Sequence, residues 1–331
     1  MTHGNLIRLG HDGQPTARRL IGLLSWWDEP TRDLRTAIRG YHALGMTHMA
    51  AVDGAYGIFP GATPVSDKRQ HAAIAELCNE LGIDLLIYLP YETWSTETQK
   101  RGFMFQLAAQ EFATTPDDWF VVVDADEIVL NPFDVATLLR RTRLNAADLH
   151  MVEPAGAGNP AKAFDIRKFF RALPGLTTKL NHHTFIAGDH ILWGFGQEES
   201  LDLTSLRVEH TTNLRKRDRR ERKTVYYETR DKLGLEPQDG CYRCEAPATA
   251  TVKSGFTKTV DGRLRSNKYR CCDRHARRLR FENERVLTRL LGGHPSKFVR
   301  QGLEPGSWCN TPKSNDYAIT SQLDVPSVLA A

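Results

Sequence analysis

Short apolar segments alternate with segments of helical periodicity through the N-terminal part of the chain. Four apolar runs have the length of a buried strand, at residues 20–25, 47–52, 83–89 and 119–123. Between them, apolar residues recur every three or four positions, over 31–44, after 66 and over 98–112, as in an amphipathic helix. Such alternation is typical of a mostly parallel sheet with helices on its faces, because each helix returns the chain to the start of the next strand. The sequence therefore predicts an α/β fold.

Size and composition set limits on what this fold can do. The chain has 331 residues, of which 40% are hydrophobic, enough for one large domain with a core and a second, small one. The net charge of +4 is lower than that of most nucleic-acid coat proteins, so we expect no nucleic-acid partner. No apolar run reaches the roughly 18–20 residues of a membrane span, and the N-terminus lacks the pattern of a secretion signal. We therefore expect a cytoplasmic protein without a membrane span.

Changes in composition predict four segments. Residues 1–19 are polar and form a lead-in. Residues 20–235 contain the alternating pattern and form the large domain. Residues 236–285 hold a cysteine cluster and form a small metal-binding module. Residues 286–331 form a C-terminal helix and tail.

Three acidic residues, Asp124, Asp126 and Glu127, follow the fourth strand candidate directly. In an open parallel sheet, ligands bind beyond the carboxyl ends of the strands. Clustered carboxylates repel one another unless a cation lies among them, and two carboxylates two residues apart can reach one hard divalent ion. Such an ion would neutralise the charge that grows on a departing nucleotide diphosphate. An Asp-x-Asp pair is also common in ordinary acidic loops, so the spacing alone leaves both interpretations open.

The sequence around this motif resembles the nucleotide-sugar glycosyltransferases of the GT-A fold, and their family-two-like members most. In both, a basic residue (here Arg101) opens a helix that leads to Asp118-Trp119, an apolar strand and Asp-Ala-Asp-Glu. The order of motifs matches over roughly residues 20–230, about two thirds of the chain. Gly102 departs from the family, which commonly has an asparagine there. The resemblance implies a Rossmann-like GT-A fold and transfer of a hexosyl group from a UDP- or GDP-type donor.

The same resemblance implies roles for individual residues. Asp124 and Asp126 would hold Mn²⁺ or Mg²⁺ against the donor diphosphate, and Asp124 would also contact the donor. His210 would be the third metal ligand, since a histidine before a basic helix often has this role in the family, although a lone histidine is more often simply hydrogen-bonded. Asp53 would contact the base or ribose, and Arg101 would lie near the diphosphate or the base.

A very basic helical segment follows His210, over residues 213–233. Most of its side chains are expected to face solvent, and Arg219, Arg222 and Lys223 are the candidates for contacts with the donor phosphates. The same charges could instead neutralise the phosphates of a nucleic acid.

An inverting transferase needs a carboxylate that takes the proton of the acceptor. Asp189 and Glu198 lie between the metal motif and the late histidine, where such a base is expected, and they are the candidate catalytic residues. Each could equally be an ordinary loop carboxylate, and a retaining enzyme would not need a base in this role.

Five of the six cysteines fall after residue 240. Cys241 and Cys244 form one closely spaced pair, and Cys272 and His275 form another. Two such pairs suit a closed tetrahedral Zn²⁺ site with a structural role, and the sequence between them predicts a β-hairpin, as in a zinc ribbon. Cys271 could replace Cys272, and unligated thiols or one disulfide are the alternatives.

These features lead to one prediction and two alternatives. The prediction is a metal-dependent glycosyltransferase with a zinc-ribbon-like module. The arrangement, including Cys-Cys-Asp-Arg-His-Ala, also resembles proteins encoded by phages of actinobacteria, which implies the host cytoplasm as location and a protein, such as a phage structural protein, or a glycan as acceptor. The alternatives are a zinc-ribbon nucleic-acid-binding protein, which leaves the α/β half without a purpose, and a metal-dependent nucleotidyltransferase, for which a glycine-rich phosphate loop is missing.

Overall fold

The computed structural model of the chain describes residues 3–10, 18–59, 61–179, 181–187, 190–193, 200–215, 217–233, 249–258, 264–291, 309–310 and 322–323. They fall into two compact units. The first contains the described residues up to 193 together with 200–215 and 217–233, and the second contains those from 249 onwards.

The first unit is built from strands and helices in alternation. Its strands are β1 (Gly4–Leu9), β2 (Leu20–Ser25), β3 (Met46–Val52), β4 (Asp84–Pro90), β5 (Trp119–Asp124), β6 (Glu127–Val129), β7 (Ala146–Glu153), β8 (Lys162–Arg171), β9 (Thr177–Lys179), β10 (Asn181–Ala187), β11 (His190–Trp193) and β12 (Ser200–His210). Its helices are α1 (Thr31–His42), α2 (Lys68–Leu81), α3 (Glu97–Glu111), α4 (Val135–Arg141) and α5 (Arg217–Leu233). A 3-10 turn covers Thr211–Leu214.

A nine-stranded sheet organises this unit, in the order β1-β4-β3-β2-β5-β8-β7-β12-β6. The centre of the sheet, β4-β3-β2-β5, is parallel, and so is the pair β7 and β12. Antiparallel strands complete both sides, and β9, β10 and β11 form a separate small sheet. The predicted α/β class, with a large central sheet and flanking helices in a Rossmann-like arrangement, is confirmed.

The central strands are mostly apolar and buried, as is usual in a parallel sheet covered on both faces. α3 packs on one face, where Phe105 makes edge-to-face contacts with Phe120 of β5, at 5.5 Å between ring centroids, and with Phe170 of β8, at 6.1 Å. These three rings are almost completely buried. Together they fix α3 against the strands whose ends carry the acidic motif.

The ends of α2 follow the general rules of helix capping. The Asp67 side chain accepts a hydrogen bond from the backbone N–H of Arg69, which satisfies a donor that the first helical turn leaves open. Gly82 ends the helix in the left-handed conformation, with φ of 67°, which a residue without Cβ adopts at low cost. The helix therefore occupies the segment that the sequence pattern assigns to it.

β1 lies within residues 1–19, the segment that the sequence predicts to be a polar lead-in. It pairs antiparallel with β4, from Gly4 opposite Pro90 to Leu9 opposite Leu85. Its side chains are mostly exposed, so the segment has no burial pattern that would mark it as a strand. The backbone ladder with β4 makes residues 4–9 an edge strand of the large sheet.

The second unit contains a β-hairpin and a helix. β13 (Ala250–Lys258) and β14 (Leu264–Cys271) pair antiparallel, as the sequence predicts, and the short strands β15 (Cys309–Asn310) and β16 (Gln322–Leu323) flank them. α6 (Asp273–Leu291) follows and crosses the predicted segment boundary after residue 285, because its apolar stripe continues through Val286 and Leu287.

In the described part of the chain, no helix is long and apolar enough to cross a membrane.

Candidate functional site at the carboxyl ends of the strands

Acidic side chains collect where the central parallel strands end. Asp53 follows β3 directly, Asp124 is the last residue of β5, and Asp126 lies in the turn between β5 and β6. The carboxyl ends of parallel neighbours meet at one edge of a sheet, which is where ligands bind in open α/β folds. β6 pairs with β12 so that Glu127 lies opposite His210. The topology therefore brings His210 to the carboxylate motif from far along the chain.

His210 lies between two carboxylates. Its Nε2 is 3.0 Å from Asp126 Oδ2, and its Nδ1 is 3.0 Å from Glu153 Oε1. Burial favours the neutral imidazole, but the two carboxylates outweigh it and raise the pKa of His210 to about 9. Burial also opposes the charge on Asp126, and the cations of His210 and Arg215 overcome it and hold the pKa of Asp126 well below its usual value. The two carboxylates thus favour the protonated ring while no cation is bound, and a metal ion on Nε2 would have to replace its proton.

Asp126 and His210 fit a divalent cation. Neighbouring ligands of an octahedral Mg²⁺, each at about 2.1 Å, lie about 3 Å apart, and Asp126 Oδ2 lies 3.0 Å from His210 Nε2. Glu153 contacts the other ring nitrogen, as a carboxylate does beside many metal-binding histidines. Among the described residues, the buried Oδ2 of Asp126 has no partner with hydrogen-bond alignment. Carboxylate oxygens suit Mn²⁺ and Mg²⁺, and an imidazole nitrogen favours Mn²⁺.

Asp124 is engaged differently. Its Oδ1 lies 2.7 Å from Arg101 Nη2, and its Oδ2 lies 2.7 Å from Lys168 Nζ on β8. Lys168 also contacts Glu127 Oε1, at 2.5 Å, and Glu127 accepts a hydrogen bond of 2.6 Å from the Tyr41 hydroxyl. Although burial opposes it, the charges of Arg101 and Lys168 hold the pKa of Asp124 well below its usual value. Both oxygens of this predicted metal ligand thus contact protein cations.

The described side chains do not form a complete cation site by themselves. Within the described residues, no three His, Cys, Asp or Glu side chains are grouped in a way that could hold a metal ion. Asp126 and His210 supply two neighbouring ligand atoms. A bound ion would take its remaining ligands from water and from the oxygens of a substrate, as Mg²⁺ usually does beside phosphates.

Asp53 is completely buried and its carboxylate is saturated by the protein. It accepts hydrogen bonds from the N–H of Gly54, from the N–H and hydroxyl of Ser66 and from His71 Nε2, at 2.6 to 2.7 Å. These bonds tie the loop after β3 to the start of α2. The predicted contact of Asp53 with a base or ribose stays a prediction, and the observed bonds give the residue a role in positioning that loop.

Lys100 joins two of the strand-end loops. Its side chain is buried, and Nζ donates to the carbonyl oxygens of Trp26 and Gly54, both at 2.7 Å. Burial disfavours its charge and lowers the pKa of Lys100 to about 7, although the Asp53 carboxylate acts in the opposite direction. The loops after β2 and β3 are therefore held at a fixed distance from α3.

Arginines at the start of α5 reach the loop after β2. Arg215 Nη2 lies 3.1 Å from Asp126 Oδ2 and 3.2 Å from Glu29 Oε1, and Arg219 Nη1 lies 2.7 Å from Glu29 Oε2. Arg222 lies 3.2 Å from Asp28 Oδ2, and its guanidinium group also covers the ring of Trp27 at 5.2 Å. Two of the three predicted phosphate-binding residues, Arg219 and Arg222, thus face the candidate site.

Tyr226 fixes α5 in this position. Its side chain is buried, and its hydroxyl accepts a hydrogen bond of 3.0 Å from the N–H of Glu97, the first residue of α3. Its ring packs on Tyr56 and Phe59, with centroids 4.8 and 5.0 Å away. α5 is therefore anchored by its apolar side while its arginines point towards the acidic loop.

The structure shows fewer contacts for the remaining predicted residues of this site. Lys223 lies on α5, and its charge contributes to lowering the pKa values of Asp126 and Glu153, after the larger effect of His210. The two candidate bases, Asp189 and Glu198, lie outside the described residues. The identity of the catalytic base therefore stays a prediction.

Part of the predicted zinc site lies within the described residues. Cys272 Sγ is 3.3 Å from His275 Nδ1, and the Cys272 carbonyl accepts a hydrogen bond from the N–H of Ala276 at the start of α6. In a tetrahedral zinc site, sulfur at about 2.3 Å and nitrogen at about 2.0–2.1 Å lie about 3.5 Å apart, close to the observed separation. Cys241 and Cys244 lie outside the described residues.

Four side chains that complete the candidate site are not among the residues predicted from the sequence. They are Glu29, Glu153, Lys168 and Arg215. Lys168 has a signal in the sequence, because it interrupts an apolar strand of which Ile166, Phe169 and Phe170 are buried, and a charge at such a position is normally paired. The others become visible only when the topology brings β7, β12 and α5 to the strand ends.

Comparison with known proteins does not identify a family for this chain. No protein-family model matches it, and no curated protein is significantly similar to it in sequence.

Proposed function

We propose that the first unit is a metal-dependent glycosyltransferase that moves a hexosyl group from a UDP- or GDP-type donor to a protein or glycan acceptor. The observation that carries this proposal is the contact of Asp126 with His210 at the carboxyl end of the parallel strands, directly beside Arg215. Two atoms that can ligate a cation, next to a guanidinium group, would stabilise the charge of a diphosphate leaving group.

The cation and the arginines would share the charge of the donor. A Mn²⁺ or Mg²⁺ ion held by Asp126 and His210 would supply Lewis-acid stabilisation of the departing diphosphate. Glu153 orients His210 for this role through the contact to Nδ1. Arg215, Arg219 and Arg222 donate several N–H groups from one side of the site, in the geometry that phosphate oxygens accept.

Asp124 is proposed to act mainly through Arg101. The guanidinium group of Arg101 is held by Asp124 on one side and by Glu97 on the other, at 2.7 and 3.1 Å. A guanidinium fixed by two carboxylates keeps its remaining N–H groups in one orientation. This supports a donor-binding role for Arg101. Asp124 would then hold Arg101 beside the cation and would not itself be a ligand of the cation.

The alternatives have less support from the side chains. A nucleotidyltransferase would use the same cation and phosphate contacts, so only its substrate separates it from a glycosyltransferase. A nucleic-acid module would leave the contacts of His210 with Asp126 and Glu153 at the strand ends without a function. The host cytoplasm stays the proposed location.

We propose separately that the second unit contains a structural Zn²⁺ ion. Cys272 and His275 are in place for one half of a tetrahedral site, and the sequence supplies the second pair at Cys241 and Cys244. A unit of this size has little core to stabilise it, so a bound metal would contribute to its folding.

The proposed transfer is tested with a panel of UDP- and GDP-sugars, with and without Mn²⁺. We expect one donor to raise the melting temperature only when Mn²⁺ is present and to be hydrolysed slowly without an acceptor. Asp126→Asn should abolish both effects, whereas Asp165→Asn, a change at an exposed carboxylate of β8, should abolish neither. If no donor binds or is hydrolysed with any divalent ion, the proposal is wrong.

A further inference from the structure

Two arginine side chains contact the carboxylate of Glu29. Its Oε1 lies 3.2 Å from Arg215 Nη2, and its Oε2 lies 2.7 Å from Arg219 Nη1. All three side chains are largely buried, with 11% to 18% of their surface exposed. Each carboxylate oxygen of Glu29 thus faces its own guanidinium group, as two oxygens of a phosphate would.

Arg215 is shared between Glu29 and Asp126. Its Nη2 lies 3.1 Å from Asp126 Oδ2, the same oxygen that lies 3.0 Å from His210. A divalent cation on this oxygen would repel the guanidinium group, because two cations would then share one anion at short range. Cation binding at Asp126 would therefore leave Arg215 available for another anion.

Three arginines contact the segment of Asp28 and Glu29. Arg219 and Arg222 are three positions apart on α5, so they lie on the same face of the helix, and Arg215 lies before the helix, at the end of the 3-10 turn. Arg222 reaches Asp28 and covers Trp27, the residues before Glu29. Three guanidinium groups offer more N–H donors than a single phosphate takes, so two linked phosphates suit them better.

The segment that carries Glu29 lies at the surface. Asp28 and Pro30, its two neighbours, are exposed. Asp28 has a φ of 51°, a left-handed conformation that is unfavourable for a residue with a Cβ, and Arg219 donates to its carbonyl. The N–H groups of Asp28 and Glu29 donate to Ser66 Oγ and Gln70 Oε1, at 2.9 and 3.1 Å. These bonds hold the backbone in place, so a ligand that displaces Glu29 needs to move only its side chain.

We propose that Arg215 and Arg219 form a pyrophosphate-binding subsite that Glu29 occupies in the ligand-free protein. The carboxylate holds the two arginines in position, and the ligand replaces it. The pyrophosphate is taken to belong to a nucleotide, which rests on the proposed function; the exchange of Glu29 for a pyrophosphate does not depend on it.

The test is calorimetric titration of the full chain with inorganic pyrophosphate, without divalent cations. Glu29→Gln removes the competing charge at nearly constant volume, so it should tighten pyrophosphate binding about fivefold or more, the lower range of couplings between ligands. The matched control is Glu221→Gln, since Glu221 also contacts an α5 arginine, Arg217, but both side chains are exposed. This control should leave the affinity unchanged.

A second pair of variants keeps the subsite testable if the Glu29 variant folds poorly. Arg219→Gln should weaken pyrophosphate binding about tenfold or more, as expected for the loss of a charge-assisted contact, and Arg217→Gln should not. The proposal is overturned if pyrophosphate binds no more tightly to the Glu29 variant than to the unchanged protein, or if the two arginine variants behave alike.

The two proposals fail in different ways. If the Glu29 variant binds pyrophosphate more tightly but no nucleotide sugar is hydrolysed, the subsite is supported and the glycosyltransferase proposal is wrong. If a nucleotide sugar is hydrolysed with Mn²⁺ but neither Glu29 nor Arg219 affects pyrophosphate binding, the subsite is wrong and the transferase stands.

Discussion

The ammonium group of Lys168 lies 2.7 Å from Asp124 Oδ2, inside the acidic motif at the end of β5. Lys168 reaches this point from β8, the antiparallel neighbour of β5, and only 5% of its side chain is exposed. The charge of Lys168 therefore balances part of the negative charge of Asp124 and Glu127. This contact separates the motif into Asp124 and Glu127, which are paired with Lys168, and Asp126, which faces His210.

The buried Lys168 cluster should contribute strongly to stability. Lys168→Met would leave Asp124 and Glu127 with one cation fewer, and removing one partner of a buried ion pair costs about 3–5 kcal/mol. We expect a loss of at least about 3 kcal/mol in the free energy of unfolding, measured by urea denaturation.

The control for this prediction is Arg39→Met, which removes a partner of Glu80 at the surface, where both side chains are about half exposed. Its cost should not exceed about 1 kcal/mol. Equal effects of the two substitutions would show that Lys168 is not the buried counter-ion described here.

The Arg19–Asp118 pair should make stability depend on pH. Asp118 accepts hydrogen bonds from Arg19 at 2.8 and 3.1 Å. Burial opposes its charge, but the bonds to Arg19 and Thr115 lower the pKa of Asp118 below its ordinary 3.8. Because the folded state holds the proton more weakly, this stabilisation is present above pH 3.8 and is lost as the pH falls through the lower, folded value.

Urea denaturation of Asp118→Asn alongside the unchanged protein measures this contribution. The variant should be less stable at pH 6, and the difference should shrink as the pH falls below about 4. A difference that stays constant down to pH 3, or grows, would contradict the assignment of the charge to Asp118.

The zinc proposal predicts a metal content near one Zn²⁺ per chain. Cys272→Ser should abolish it, because a hydroxyl is a poor replacement for a thiolate ligand. Cys78→Ser should retain it, since Cys78 is buried in the first unit and burial raises the pKa of its thiol to about 12. Elemental analysis of the purified variants decides the matter, and zinc retained after loss of Cys272 would contradict the ligand set.

The local part of the fold is predictable from sequence because its signals are local. The apolar runs and the helical recurrence of apolar residues each depend on a few neighbouring residues, and the structure confirms the strands and helices they predict. β1 escapes such signals because it is held by backbone pairing with β4 and buries few side chains.

The candidate site is less predictable because it is assembled by topology. Asp126 and His210 are recognisable as a pair only through the family resemblance, and the pairing of β6 with β12 brings them together. The partners Glu153 and Lys168 come from β7 and β8, and no spacing rule connects them with the motif.

Mn²⁺ binding to Asp126 and His210 tests the central claim most directly. Titration of Mn²⁺, followed by electron paramagnetic resonance with UDP and with GDP in turn, should give a site whose affinity falls about tenfold or more in Asp126→Asn and in His210→Gln. The matched control is the pair of His150 on β7 and Asp165 on β8, in which Nδ1 lies 2.8 Å from Oδ1. The variants His150→Gln and Asp165→Asn should bind Mn²⁺ as tightly as the unchanged protein. If Asp126→Asn binds Mn²⁺ as tightly as the unchanged protein, the cation is not held by this pair and the account is contradicted.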